Sequence, residues 1–131
     1  MPNISATTGK LVLDFICGGA AATQPGFRWA GLAWGTPTST GGSELNTSIG
    51  YSRITASFGA ANSPAGSVSN NVAMTFGPFS SVMSILGIHV WDGPPVASSN
   101  MMLFGTLQTA RTVGVGDSLV VAVGALTITL S

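Results

Sequence analysis

The chain has 131 residues, enough for one domain with a real core and too few for two ordinary ones. Only 6% of it is charged, four basic and four acidic residues that cancel, while 45% is hydrophobic. That balance excludes a phosphate-tracking basic surface, because Lys10, Arg28, Arg53 and Arg111 are scattered, and the lone Cys17 excludes an internal disulfide or a thiolate metal cage.

In chain order, Thr7 or Thr8 is positioned to cap a short helix running through Cys17, with Gly18 and Gly19 as its left-handed stop. Leu11, Phe15 and Ile16 form its apolar face, flanked by Val12 and Leu13. The run Leu11 to Ile16 followed by Ala20, Ala21 and Ala22 imitates a signal peptide, but Asp14 interrupts the run and Lys10 is placed late. From Phe27 the texture turns to strands, expected at 27–34, 51–58, 70–76, 83–91, 100–107, 118–123 and 126–130. The intervening stretches 35–43, 60–69 and 92–99 are rich in Gly, Ser, Thr and Pro and read as loops. The most apolar run, Leu119 to Leu130, is too short to span a bilayer as a helix, and its Val and Thr favour strands. The expected fold is all-β: an antiparallel β-sandwich or jelly-roll-like barrel with one short N-terminal helix. It forms a single domain over 1–131, with an arm and helix at 1–26 and the sandwich at 27–131.

Weak charge means weak repulsion between copies, so the chain is expected to live in an assembly with much of its surface covered. The arm Met1 to Lys10, rich in Asn, Ser and Thr, should be loose alone and tied down by a neighbouring subunit or the surface beneath it. Trp29, Trp34, Trp91 and Phe79 are candidate interface residues, because aromatics dominate both cores and interfaces. Glu44 and Arg53 flank one turn in a chain poor in charge, and a partly buried bidentate ion pair is expected between them.

Catalysis needs convergent titratable groups, and the candidates are Asp14, Glu44, Asp92, Asp117, His89 and Cys17. His89 and Asp92 lie close in sequence, but a second histidine is missing and no serine sits on a nucleophile elbow. His89 is expected to be a strand residue satisfied by a local hydrogen bond. The segments Gly41-Gly42-Ser43 and Gly114-Val115-Gly116-Asp117 lack the lysine and the strand-to-helix context of a phosphate loop, so they read as turns. The expectation is a protein without catalytic site, metal or cofactor.

The order of segments resembles a family of small phage and prophage structural proteins. The residues that carry the resemblance start with Trp29-Ala30-Gly31-Leu32, followed by Glu44 and Gly50-Tyr51-Ser52-Arg53 leading to Phe58. Asn71-Val72-Ala73-Met74-Thr75-Phe76 and Gly87-Ile88-His89-Val90-Trp91-Asp92 come next. Leu103-Phe104-Gly105-Thr106-Leu107, Gly116-Asp117 and Gly124-Ala125-Leu126-Thr127-Ile128 complete the series. Gly93-Pro94-Pro95 departs from the plainer turn of that family. The resemblance implies a virion component. A compact chain with neither heptads nor repeats suits a capsid cement or decoration protein. Such a protein would sit on the outer capsid surface as a homotrimer, with the major capsid protein as partner and with no nucleic acid or membrane. The alternative is a tail-tip or tail-fibre accessory module that binds a host surface glycan.

Overall fold

The computed structural model describes residues 3–21, 24–62, 66–94 and 99–129. Helix α1 spans Ala6–Cys17. Its cap is Ser5, ahead of the two threonines expected, because Ser5 Oγ stands three residues before the Thr8 N–H and accepts from it at 3.2 Å. Gly18 ends the helix at φ 70°, its N–H donating to the Asp14 carbonyl at 2.9 Å.

Nine strands follow the antiparallel rule among the described residues: β1 Asn3–Ile4, β2 Trp29–Ala33, β3 Ile54–Thr55, β4 Ser67–Ser69, β5 Met74–Phe76, β6 Met83–Trp91, β7 Met101–Val113, β8 Leu119–Val121 and β9 Thr127–Thr129. Five of them form one sheet in the order β1-β7-β6-β2-β3, while β4 pairs with β9 and β5 with β8 in separate ribbons. The fold is all-β with a short N-terminal helix. Its main sheet is open, ending on β1 and β3, so the described strands do not close into a barrel. The second layer consists of short ribbons.

The core lies between these layers. Ala30 and Leu32 of β2, Ile85 of β6 and Val113 of β7 pack with Met74 and Phe76 of β5, and with Leu45, Tyr51 and Phe79 from the connections. Leu119 and Val121 of β8 close over that cluster. Asn70 fastens the second layer to it. Its side chain is buried; Nδ2 donates to the carbonyls of Val72 at 3.0 Å and Ala122 at 2.9 Å, and Oδ1 accepts from Leu126 N–H at 2.9 Å. A buried amide satisfied on three sides joins two chain segments far apart in sequence.

Several expectations about elements change. The stretch 60–69, expected as a loop, contains β4, whose Ser67–Ser69 pair with Thr127–Thr129 of β9, and the expected strand 70–76 is ladder only at Met74–Phe76. The stretch 51–58 is mostly not ladder: only Ile54 and Thr55 pair with β2, Ala56 N–H donates to Arg28 O, and Phe58 bridges Asn70. Its backbone groups are shared among three neighbours, which apolar alternation cannot reveal. β7 continues past Leu107 to Val113, because Ser84↔Thr112 and Ile85↔Arg111 extend its pairing with β6 beyond a register shift. Residues 108–112 of this extension are exposed and mostly polar, so no hydrophobic pattern marks them, and the buried Val113 returns to the core only at the strand's end. The arm is held within the chain itself: Asn3 and Ile4 pair with Phe104 and Leu103, and Ser5 N–H donates to Met102 O at 2.9 Å. Met1 and Pro2 lie outside the described residues, as does Leu130 of the last expected strand.

Candidate functional site

Two features stand out. The first is a charged cluster on the sheet face that looks away from the main core. In an antiparallel pair, opposed residues share a face. Trp29 lies opposite Trp91 and Gly31 opposite His89, which places Trp29, Gly31, His89 and Trp91 on one face of β2 and β6. Glu44 joins this face because it bridges Ala33 at the end of β2.

Arg53 meets Glu44 in a two-pronged pair, Nε to Oε1 at 2.7 Å and Nη2 to Oε2 at 2.8 Å. The side chains are 5% and 18% exposed. Nη1 also donates to the carbonyls of Gly93 at 3.2 Å and Pro94 at 3.1 Å and to Ser99 Oγ at 2.9 Å. The guanidinium lies over the Trp91 ring, 3.6 Å from its centroid. Tyr51 completes the cluster. Its hydroxyl donates to Glu44 Oε1 at 2.8 Å and accepts from Leu32 N–H at 3.0 Å. Gly31 is what lets these groups converge, because a Cβ there would stand 2.7 Å from Tyr51 Oη, 3.0 Å from Glu44 Oε1 and 3.2 Å from Trp91 Nε1.

The electrostatics follow. Burial pushes the Glu44 carboxyl up, but the hydrogen bonds from Arg53 and Tyr51 and the Arg53 charge outweigh it, so its pKa lies below the ordinary 4.5. Burial, then the Glu44 charge, raise the Tyr51 phenol well above its usual value. His89 is fully buried, and burial lowers its pKa below 6.5, with Arg53 adding to the effect and Glu44 opposing it. Neither imidazole nitrogen has a hydrogen-bond partner among the described residues, so the expected local hydrogen bond is not made. The ring instead meets the Trp91 ring edge-on at 5.8 Å.

Chemically, the cluster clamps. Its carboxylate is fully engaged by Arg53 and Tyr51, and its arginine fixes the loop after β6, where the Gly93-Pro94 departure lies. Pro95 falls outside the described residues. Asp92 is not near His89 in function: it caps its own turn, accepting from the Asn100 backbone and side-chain amides. Asp117 accepts from Gly114 N–H in another turn, Asp14 pairs with Lys10, and Cys17 is exposed on α1. No three of the described His, Cys, Asp and Glu residues converge as metal ligands.

Of the four aromatic interface candidates, Phe79 belongs to the main core and Trp91 is buried beneath Arg53. Both are used up by packing inside the chain. Trp29 is half-buried, and Trp34 is 56% exposed.

The second feature is α1. No residue of the helix is buried. Leu13 is 62%, Phe15 78% and Ile16 72% exposed. Between the helix and the sheet runs an apolar cleft of about 990 Å³, lined by Leu11, Val12 and Phe15 on one side and by Phe58, Val90 and Met102 on the other. The sequence signal was present: apolar residues at 11, 12, 13, 15 and 16 form an arc wider than one core-facing stripe requires. No described helix is long and apolar enough to cross a membrane.

No curated protein matches the chain significantly. A profile of the family Gp80, described as podophage GP4 fiber I protein gp80, matches residues 3–129. The match covers nearly the whole chain and agrees with a phage virion structural protein built on an all-β fold with a short N-terminal helix. The chain belongs to the podophage GP4 fiber I protein gp80 family.

Proposed function

We propose that this chain is a non-enzymatic component of the tail-fibre apparatus of a podophage virion. The fibre description of its family carries the reading, and supports it over a capsid cement protein at the capsid surface. The chemistry of the site supports a structural role. Glu44 and Arg53 are committed to an internal clamp, and α1 keeps its apolar side chains exposed, as a subunit awaiting neighbours does. The test is antibody-gold labelling and cryo-electron microscopy of the virion. Label confined to the tail end supports the reading. Label spread evenly over the head moves the chain to the capsid lattice, with the major capsid protein as its partner.

One observation favours a glycan-facing role within that reading. Trp34, at the end of β2, presents a free aromatic face beside the hydroxyl-rich loop 36–43. If that face stacks on a host sugar, Trp34→Ala virions should assemble normally and adsorb poorly. Normal adsorption removes the glycan from the proposal and leaves the fibre role.

A further inference from the structure

We infer that Trp34 and Ser43 form the two halves of a site for an uncharged pyranose, held in shape by the loop between them and by the Glu44–Arg53 clamp. The inference rests on the glycan-facing reading of Trp34, and it names the sugar class and the polar contact of that site.

Backbone strain marks the position. Ser43 has φ 67°, the one non-glycine in the left-handed region among the described residues. A side chain stays in that region only where its surroundings dictate it, and such residues gather at ligand sites. The neighbours of Ser43 do dictate it. Its carbonyl accepts from Trp34 N–H at 2.9 Å, which sets the two residues opposite each other at the neck of the loop. The next residue, Glu44, bridges Ala33 and is gripped by both prongs of Arg53. A Cβ at Gly35 would stand 2.9 Å from Ser43 Oγ, so the hydroxyl lies against the backbone that follows Trp34. That hydroxyl has no hydrogen-bond partner among the described residues. Trp34, on the opposed position, is 56% exposed. A free hydroxyl at the neck that carries a bare indole suits a sugar ring: the C–H face of the ring stacks on the indole, and one ring hydroxyl meets Ser43 Oγ.

The frame around the two residues is fixed. A Cβ at Gly87 would overlap the Pro37 ring and one at Gly41 would overlap the Trp91 ring, so the loop is seated on the sheet at both points. Trp91 is also the ring on which Arg53 stacks. Thr38 Oγ1 accepts from Gly42 N–H at 3.2 Å within the loop. A loop already held in place loses little freedom on binding, which favours a ligand as small as one sugar. Charge then sets the class. Residues 34–43 carry no charge, and the first charged side chain after them is the Glu44 carboxylate. A sialic or uronic acid would surrender the hydration of its carboxylate with no cation offered by the loop, whereas an uncharged pyranose meets no such cost.

The test uses NMR on the purified full chain, so it does not depend on where the chain sits in the virion. The probes are the methyl glycosides of glucose, galactose, mannose and N-acetylglucosamine, with N-acetylneuraminic and glucuronic acids as the charged set. At least one neutral glycoside should shift the Trp34 indole N–H signal, and the acids should not. Ser43→Ala and Ser43→Gly should each weaken that binding about 3- to 10-fold, the worth of one neutral hydrogen bond. Trp34→Ala should weaken it at least about 10-fold. Ser43→Gly alone relieves the backbone, so it should melt above Ser43→Ala. Affinity that falls in both variants while their melting temperatures diverge supports the hydroxyl as the sugar contact, because relief of strain cannot explain it. Unchanged affinity in both overturns the inference, as does a preference for the acids. Poor adsorption of Trp34→Ala virions with no binding of a neutral glycoside also overturns it, and leaves Trp34 as a contact to some other host molecule. Glycoside binding together with normal adsorption supports the site and removes only its role in infection.

Discussion

Removing the Arg53 side chain tests whether the Glu44 cluster holds the domain together. Arg53→Ala deletes both prongs of the ion pair, three hydrogen bonds to Gly93, Pro94 and Ser99, and the stack on Trp91. Glu44 is then left with Tyr51 as its one side-chain donor among the described residues. Breaking one half of a buried pair costs about 3–5 kcal/mol, because the remaining charge stays desolvated. Glu44 keeps 18% exposure, so some water reaches it, and the lower end applies, about 3 kcal/mol. That is a large share of a domain stability of about 5–15 kcal/mol. With a urea slope of about 1–3 kcal/mol per molar, the unfolding midpoint should fall by at least about 1 M. Urea titration followed by tryptophan fluorescence reads it directly. Glu44→Gln and the double variant close a mutant cycle, and the coupling should exceed about 1 kcal/mol. A loss below about 1 kcal/mol for Arg53→Ala, the range of exposed pairs, would refute the reasoning.

Gly31→Ala should destabilise by about 1–3 kcal/mol, because the new methyl displaces Tyr51 Oη or Glu44 Oε1; a neutral substitution in a thermal melt would show that the cluster yields without loss. Acid should weaken the fold in two stages. The unfolded chain protonates His89 below about pH 6.5 while the folded state resists, so stability falls as pH drops below that value, and Glu44 adds a further loss below about pH 4.5. Melts across that range should show the slope between about pH 6.5 and 5 flattened in His89→Leu; an unchanged slope would assign the effect elsewhere. Asn70→Ala should cost about 2–4 kcal/mol and loosen the turn at 122–126, which amide exchange at Leu126 would report; protection equal to the parent would contradict the role given to that amide.

What the sequence determined by itself was local. The strand-forming run at 83–91, bounded by Gly and Pro, marked β6 residue for residue, and the end of the helix at Gly18 followed from the left-handed freedom of glycine, while its cap fell at Ser5 instead of Thr7 or Thr8. The all-β class followed from short apolar runs broken by Gly, Pro and Ser, and the virion family from the order of weak segments along the whole chain.

Only the tertiary structure decided what depends on segments far apart. Asn71 carried the sequence resemblance, but its neighbour Asn70 is the amide that ties 70 to 122 and 126, a difference no local pattern encodes. Sequence spacing could set Glu44 near Arg53, yet the reach of that arginine to Gly93 and Ser99 exists because β2 lies between β3 and β6. Phe79 and Trp91 looked like interface aromatics because composition cannot tell a core ring from an exposed one; their neighbours in space make that choice. The face of α1 shows the converse. Its periodicity announced an apolar stripe, and periodicity always implies a partner, but only the packed fold reveals that the chain's own sheet leaves most of that stripe uncovered.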